Sequence, residues 1–162
     1  MIQRTTSMFK PSLIVELITE KMVAFVVMFG FYIILHGASS PGGGFQGGVI
    51  IGAGYILFAV GLNPQIVRQR TPAIALKIVE SAGVLMYVGS GLLGIILGYT
   101  FLANKVAGVP PQGAMGSLFC GGTLVAINIG IGIHVASTII TLYLAFLEYV
   151  PPANEKPEKG IA

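Results

Sequence analysis

Three long stretches of this chain carry no formal charge. No Asp, Glu, Lys or Arg occurs between Lys21 and Arg68, between Glu80 and Lys105, or between Lys105 and Glu148. A helix that crosses a bilayer needs about 20 mostly apolar residues, because each backbone polar group must be satisfied within the segment. The first stretch is interrupted by HGASSPGGGFQGGVIIGAGY, residues 36–55, which holds eight glycines and no carboxylate or lysine. It therefore divides into two spans. The sequence predicts an all-α integral membrane protein with four transmembrane helices, near Leu13–Leu35, Gly44–Leu62, Leu76–Leu102 and Met115–Tyr149, with a glycine-rich turn between the first two. The last helix is long for one span and has room to tilt or to begin outside the bilayer. Asn63–Pro72 and Ala103–Gly113 read as polar loops. Residues 1–150 form the membrane domain, and 151–162 form a proline-rich, charged tail expected to be disordered and cytoplasmic.

The placement of Lys and Arg sets the expected orientation. The glycine turn carries neither, and the third loop only Lys105. Arg68 and Arg70 lie in the second loop, with Lys77 just beyond; Arg4, Lys10 and Lys21 precede the first span, and Lys156 and Lys159 lie in the tail. Both termini and the second loop are thus expected on the cytoplasmic side, with the glycine turn opposite. A competing reading makes Met22–Leu35 the apolar core of a cleavable signal peptide ending at HGAS. Against it, Glu16, Glu20 and Lys21 sit in a helix-compatible segment that extends the run to spanning length.

Composition excludes several functions. Charged residues make up 9% of the chain and there is no basic patch with reachable aromatic side chains, which argues against a nucleic-acid partner. The one cysteine, Cys120, permits no intrachain disulfide. No G-x-S-x-G, H-E-x-x-H or C-x-x-C motif occurs. Gly42, Gly44 and Gly47 match G-x-G-x-x-G, but that fingerprint needs a strand before it and an amphipathic helix after it in a soluble βαβ unit.

Helices associate in lipid through small residues that let backbones approach. Three ridges fit that pattern: Gly44, Gly48 and Gly52; Ser90, Gly94 and Gly98; and Gly122, Ala126 and Gly130, continuing to His134 and Thr138. They either pack the bundle internally or receive helices of other subunits. A chain with only four spans has difficulty covering three ridges by itself, which favours a component of a larger assembly.

Ionisable groups in a span are costly and are candidates for function. His134 lies well inside the fourth span on the face of Gly130, where it either donates one hydrogen bond across a helix contact or relays protons. Glu80 lies about one turn into the third span, either paired with Lys77 at the interface or at the mouth of an ion or proton path. His36, at the outer end of the first helix, is the third candidate for such a path; its plainer role is to bond carbonyls of the helix terminus. Glu16 and Glu20 read as interfacial groups and Glu148 as a boundary charge. Asn128 lies off the His134 ridge, so the two are not expected to act together.

The block Pro41, Gly42, Gly43, Gly44, Phe45, Gly47 and Gly48 after the first helix resembles the signature of the MnhB/MrpB family, the B-type subunits of Mrp-type multisubunit cation/proton antiporters. GTLVAINIGIGIHVASTIITLYLAF, residues 122–146, is similar to that family's last helix. The resemblance implies a non-catalytic subunit working with small helical subunits and large complex-I-like proton-pumping subunits, either in a stand-alone antiporter or in an archaeal hydrogenase or sulfur-reducing complex with a peripheral redox arm. It implies Na+ and H+ as transported ions, no cofactor held by this chain, and a place in the cytoplasmic membrane of a bacterium or archaeon. The alternative is a scaffold that never touches the ion. At the turn, Pro41 would fix the entry to the second helix, and Phe45 would act as a hydrophobic plug or a packing anchor. The turn itself would either pack neighbours closely or border an ion route.

Overall fold

A computed structural model describes residues 12–37, 42–103 and 122–149. The described residues form five helices: α1 (Leu13–Leu35), α2 (Gly43–Leu62), α3 (Pro64–Arg70), α4 (Ala73–Ile96) and α5 (Thr123–Tyr149). All but α3 are long and apolar enough to cross a membrane. The chain is thus an all-helical, multi-pass membrane protein with the four spans expected from the charge gaps. Residues 38–41 of the glycine turn, including Pro41, and the tail beyond Tyr149 lie outside the described residues.

The spans form an open row in the order α1, α2, α5, α4, with Ile34 near the end of α1 also reaching Gly132 of α5. Glycine positions fix each register. Gly61, Gly54 and Gly47 of α2 meet Thr19, Val26 and Ile34 of α1 in turn, so this pair is antiparallel. Gly44, Gly48 and Gly52 meet Asn128, Val135 and Ile139 of α5, so α2 and α5 run parallel. Gly83 of α4 meets Gly130 and His134 of α5 in a second antiparallel pair. Parallel neighbours that are distant in sequence need a crossover, and α3 with α4 provides it.

Two of the three expected ridges are therefore filled from within the chain. The ridge on α2 receives α5, and Gly130 receives Gly83 and Met86. The third is also occupied internally, though not by a helix: α4 ends at Ile96, not Leu102, and the chain doubles back so that Phe101 lies over Gly91 and Thr100 over Gly94. Gly98 is not on this ridge. It adopts φ +83° after the helix, with Gly98 N–H bonded to the Ile95 carbonyl at 2.9 Å and Tyr99 N–H to that of Gly94 at 2.9 Å. That pair is a Schellman termination, for which glycine is the favoured residue. Gly122 likewise has φ +60° and precedes α5, which begins at Thr123; it is not a ridge member, and the expected start at Met115 lies outside the described residues. Ala126 is half-buried on α5.

The expected loop Asn63–Pro72 is largely α3. Pro64 sits at the first helical position, where its missing N–H costs nothing, Val67 N–H bonds to the Asn63 carbonyl at 3.2 Å, and Val67 is buried. Helix α4 starts at Ala73, three residues before expected, because the Pro72 carbonyl accepts from Ala75 and Leu76. Helix α1 starts where expected: the Ser12 side chain accepts from Val15 N–H at 3.4 Å, and Glu16 lies in the first turn.

Candidate functional site

Glu80 and His134, separated by 54 residues in sequence, meet at the α4–α5 contact. Gly83 makes this possible. A methyl group there would sit 2.7 Å from the Gly130 carbonyl oxygen and 2.8 Å from the His134 backbone nitrogen, so only glycine lets the two backbones come this close. With the helices in contact, the His134 ring donates from Nδ1 to the Glu80 backbone carbonyl at 3.3 Å. That leaves Nε2 as the basic nitrogen. The Thr138 hydroxyl, one turn along α5, lies 3.0 Å from Glu80 Oε1 and 2.9 Å from the His134 carbonyl oxygen.

A hydroxyl has one proton and cannot donate to both acceptors at once. With Glu80 ionised, Thr138 donates to the carboxylate. With Glu80 protonated, the carboxyl donates to Thr138, whose own proton turns to the His134 carbonyl. The same heavy-atom positions thus accommodate both protonation states. Glu80 is the eighth residue of α4 and lies ~10 Å from its start at 1.5 Å per residue. Glu80 and His134 are half-buried and Thr138 is exposed, so the cluster opens on the outer surface of the α4–α5 pair. The expected ion pair of Glu80 with Lys77 does not form among the described residues. Residues three apart on a helix can reach each other, but here Thr138 of the facing helix takes the carboxylate instead. Glu148, expected as a boundary charge, pairs with Arg68 at 3.4 Å and ties α5 to α3.

His36 does not join this cluster. Its ring donates from Nδ1 to the Tyr32 carbonyl at 3.1 Å, on the last turn of its own helix, and packs on the Tyr32 ring with centroids 4.2 Å apart. Phe45 is 60% exposed, so it is not a packing anchor among the described residues. Among the motif glycines, Gly42 takes φ +84° as the N-cap of α2, Gly43 and Gly44 are buried against Gly37 and Asn128, and Gly47 and Gly48 face α1 and α5 respectively.

Asn128, noted in the sequence only for its offset from His134, has a place of its own in the structure. It is 9% exposed and packs against Gly37 and Gly44, where the α1–α2 connection meets α5. Its Nδ2 is the one buried side-chain polar atom without a hydrogen-bond partner among the described residues. As expected, it does not act with His134: Asn128 faces α2 and His134 faces α4. An unmet amide donor costs about 1–3 kcal/mol. Asn128→Leu is therefore expected to raise thermal stability of the purified protein. A clear loss of stability would show that the amide finds an acceptor in the folded protein.

The helices and this polar cluster define a small multi-pass membrane protein in which two ionisable side chains, Glu80 and His134, meet at the contact between two of its spans. Residues 14–141 match the family described as "Domain related to MnhB subunit of Na+/H+ antiporter", and the chain belongs to the MnhB family. It is 34% identical over 85 residues to the B-type subunit of the Na(+)/H(+) antiporter of Bacillus subtilis (strain 168), covering 52% of this chain and 59% of that protein. It is 27% identical over 133 residues to "Putative antiporter subunit mnhB2" of Staphylococcus aureus (strain Newman), covering 82% of this chain and 92% of that protein.

Proposed function

We propose that this chain is a non-catalytic subunit of a multisubunit Na+/H+ antiporter in the cell membrane of a bacterium or archaeon, and that Glu80, His134 and Thr138 border its cation or proton route. The observation that supports this reading is the three-residue cluster itself. A carboxyl group, an imidazole and a hydroxyl meet at bilayer depth, where ionisable groups are costly unless used, and their hydrogen bonds suit a proton that comes and goes. The relatives' names as Na+/H+ antiporter subunits support this reading; on it, the ions are Na+ and H+ and the partners are the small helical subunits and the large proton-pumping subunits of an Mrp-type complex. A hydrogenase or sulfur-reductase setting with a redox arm is a variant of the same role.

The second reading is a scaffold that never contacts the ion. It is favoured by the outward faces of the spans, where Phe25, Met28 and Phe31 of α1 and Leu85 and Leu92 of α4 are exposed. His134→Ala separates the two. In vesicles containing the intact complex, sodium-dependent proton flux should fall about tenfold, somewhat below what a proton-transferring side chain typically supplies, while subunit composition is unchanged. Full flux in a fully assembled complex would leave the scaffold reading.

A further inference from the structure

A cleft of about 320 Å³ opens where the end of α3, the start of α4 and the end of α5 converge, the end of the row opposite the glycine turn. Arg68, Lys77 and Glu148 line it, together with Leu76, Leu144 and Ala145. We infer that this cleft binds the phosphodiester headgroup of an anionic phospholipid.

Four observations carry the inference. The cleft holds two cations and one anion. The Arg68–Glu148 contact, at 3.4 Å, engages one guanidinium nitrogen and leaves the other donors of the fork available. Lys77 forms no ion pair with a described residue, because Glu80, one turn further on, is turned toward Thr138. The start of α4 adds to the field: Pro72 offers no side-chain cap and no acidic residue occupies the first turn, so the positive end of a 24-residue helix dipole is unneutralised. The apolar part of the lining comes from Ala73 and Leu76 of α4 and Leu144 and Ala145 of α5, at the ends of two membrane-spanning helices, where acyl chains would follow a headgroup. Basic pockets between spans near the membrane surface are the kind of site that holds acidic lipid headgroups.

The two hydroxyls at the cleft narrow the ligand class. Thr71 donates to the Val67 carbonyl at 2.9 Å and accepts from the Tyr55 hydroxyl at 2.6 Å. Thr141 donates to the Ser137 carbonyl at 2.9 Å. Their protons are committed, so neither hydroxyl donates to the ligand, and the donors the cleft offers an anionic headgroup are those of Arg68 and Lys77. Phosphatidylglycerol meets that description and phosphatidylcholine, whose headgroup is neutral overall, does not.

The intact complex, reconstituted in phosphatidylcholine vesicles with a photoreactive phosphatidylglycerol, tests this. Labelling of this chain should fall on the peptides containing Lys77 and Leu144. Unlabelled phosphatidylglycerol should suppress it; phosphatidylcholine and inorganic phosphate should not. Lys77→Gln should reduce labelling about fivefold, the effect of one basic group at a membrane surface. Glu148→Gln, which removes the repelling charge, should raise it. Leu144→Trp, which fills the cleft but keeps every charge, should abolish it while the complex stays assembled. Equal labelling of wild type and Lys77→Gln, or competition by phosphatidylcholine as strong as by phosphatidylglycerol, would overturn the site. Competition by inorganic phosphate at parity with the lipid would reassign it to free phosphate and end the lipid proposal.

Discussion

Gly44→Val should prevent this chain from entering its complex. A Cβ at Gly44 would lie 2.5 Å from the Asn128 carbonyl oxygen and 3.0 Å from the Asn128 Cα, and both are backbone atoms that cannot swing aside. The α2–α5 pair would have to separate, and the same ridge makes the contacts of Gly48 and Gly52 further along. Overpacking that side chains can absorb costs about 1–3 kcal/mol; a clash with backbone along a parallel pair of spans exceeds that range. Because α2 and α5 hold the two halves of the row together, the loss is global. The check is co-purification of neighbouring subunits with a tagged copy of the variant. Recovery of the intact complex would show that the α2–α5 contact can loosen without consequence. Gly89→Val is the control, since a Cβ there meets no described residue within 4 Å.

Glu80→Gln should abolish most sodium-dependent proton flux while leaving the complex assembled. Glutamine has nearly the shape of glutamate and can accept from Thr138 or donate to it, so the geometry of the cluster survives. What disappears is the exchange of a proton. A group that must take up and release a proton in each cycle contributes roughly 10²–10⁴-fold in rate, so a drop of about a hundredfold is expected. Glu80→Asp, which keeps the acid on a shorter stem, should recover part of the flux. Thr138→Val should lower flux less than Glu80→Gln, because it removes the mediator and leaves the titrating group. If Glu80→Gln transports at the wild-type rate, Glu80 has no place on the route, and the cluster only joins α4 to α5.

The spans are legible in the sequence because lipid imposes so strict a condition: an uncharged run of spanning length has few other uses, and the charge gaps mark all four. Their ends are less legible, since caps are local. Gly98 looks like a ridge residue by spacing, but its role is set by a left-handed φ. Pro64 could announce α3 as a first-turn proline, yet the surrounding NPQIVRQR has a loop-like composition. Which ridge meets which is not readable, because small-residue spacing is the same for every partner. His134 is visible as an ionisable group deep in a span. Its partners are not, because the pairing of Glu80 with Lys77 three residues away is a local guess, while Thr138 on another helix is a tertiary fact. Asn128 stands out in the sequence only by its offset from His134. Its neutral amide, in a span lined by glycines, belongs to the opposite face.

The open row has a geometric consequence. A closed bundle can surround a pore; four helices in a line have only sides. The cluster of Glu80, His134 and Thr138 lies on such a side, with the hydroxyl exposed. Any aqueous passage it serves is therefore, among the described residues, a half-channel whose other wall lies outside the four spans.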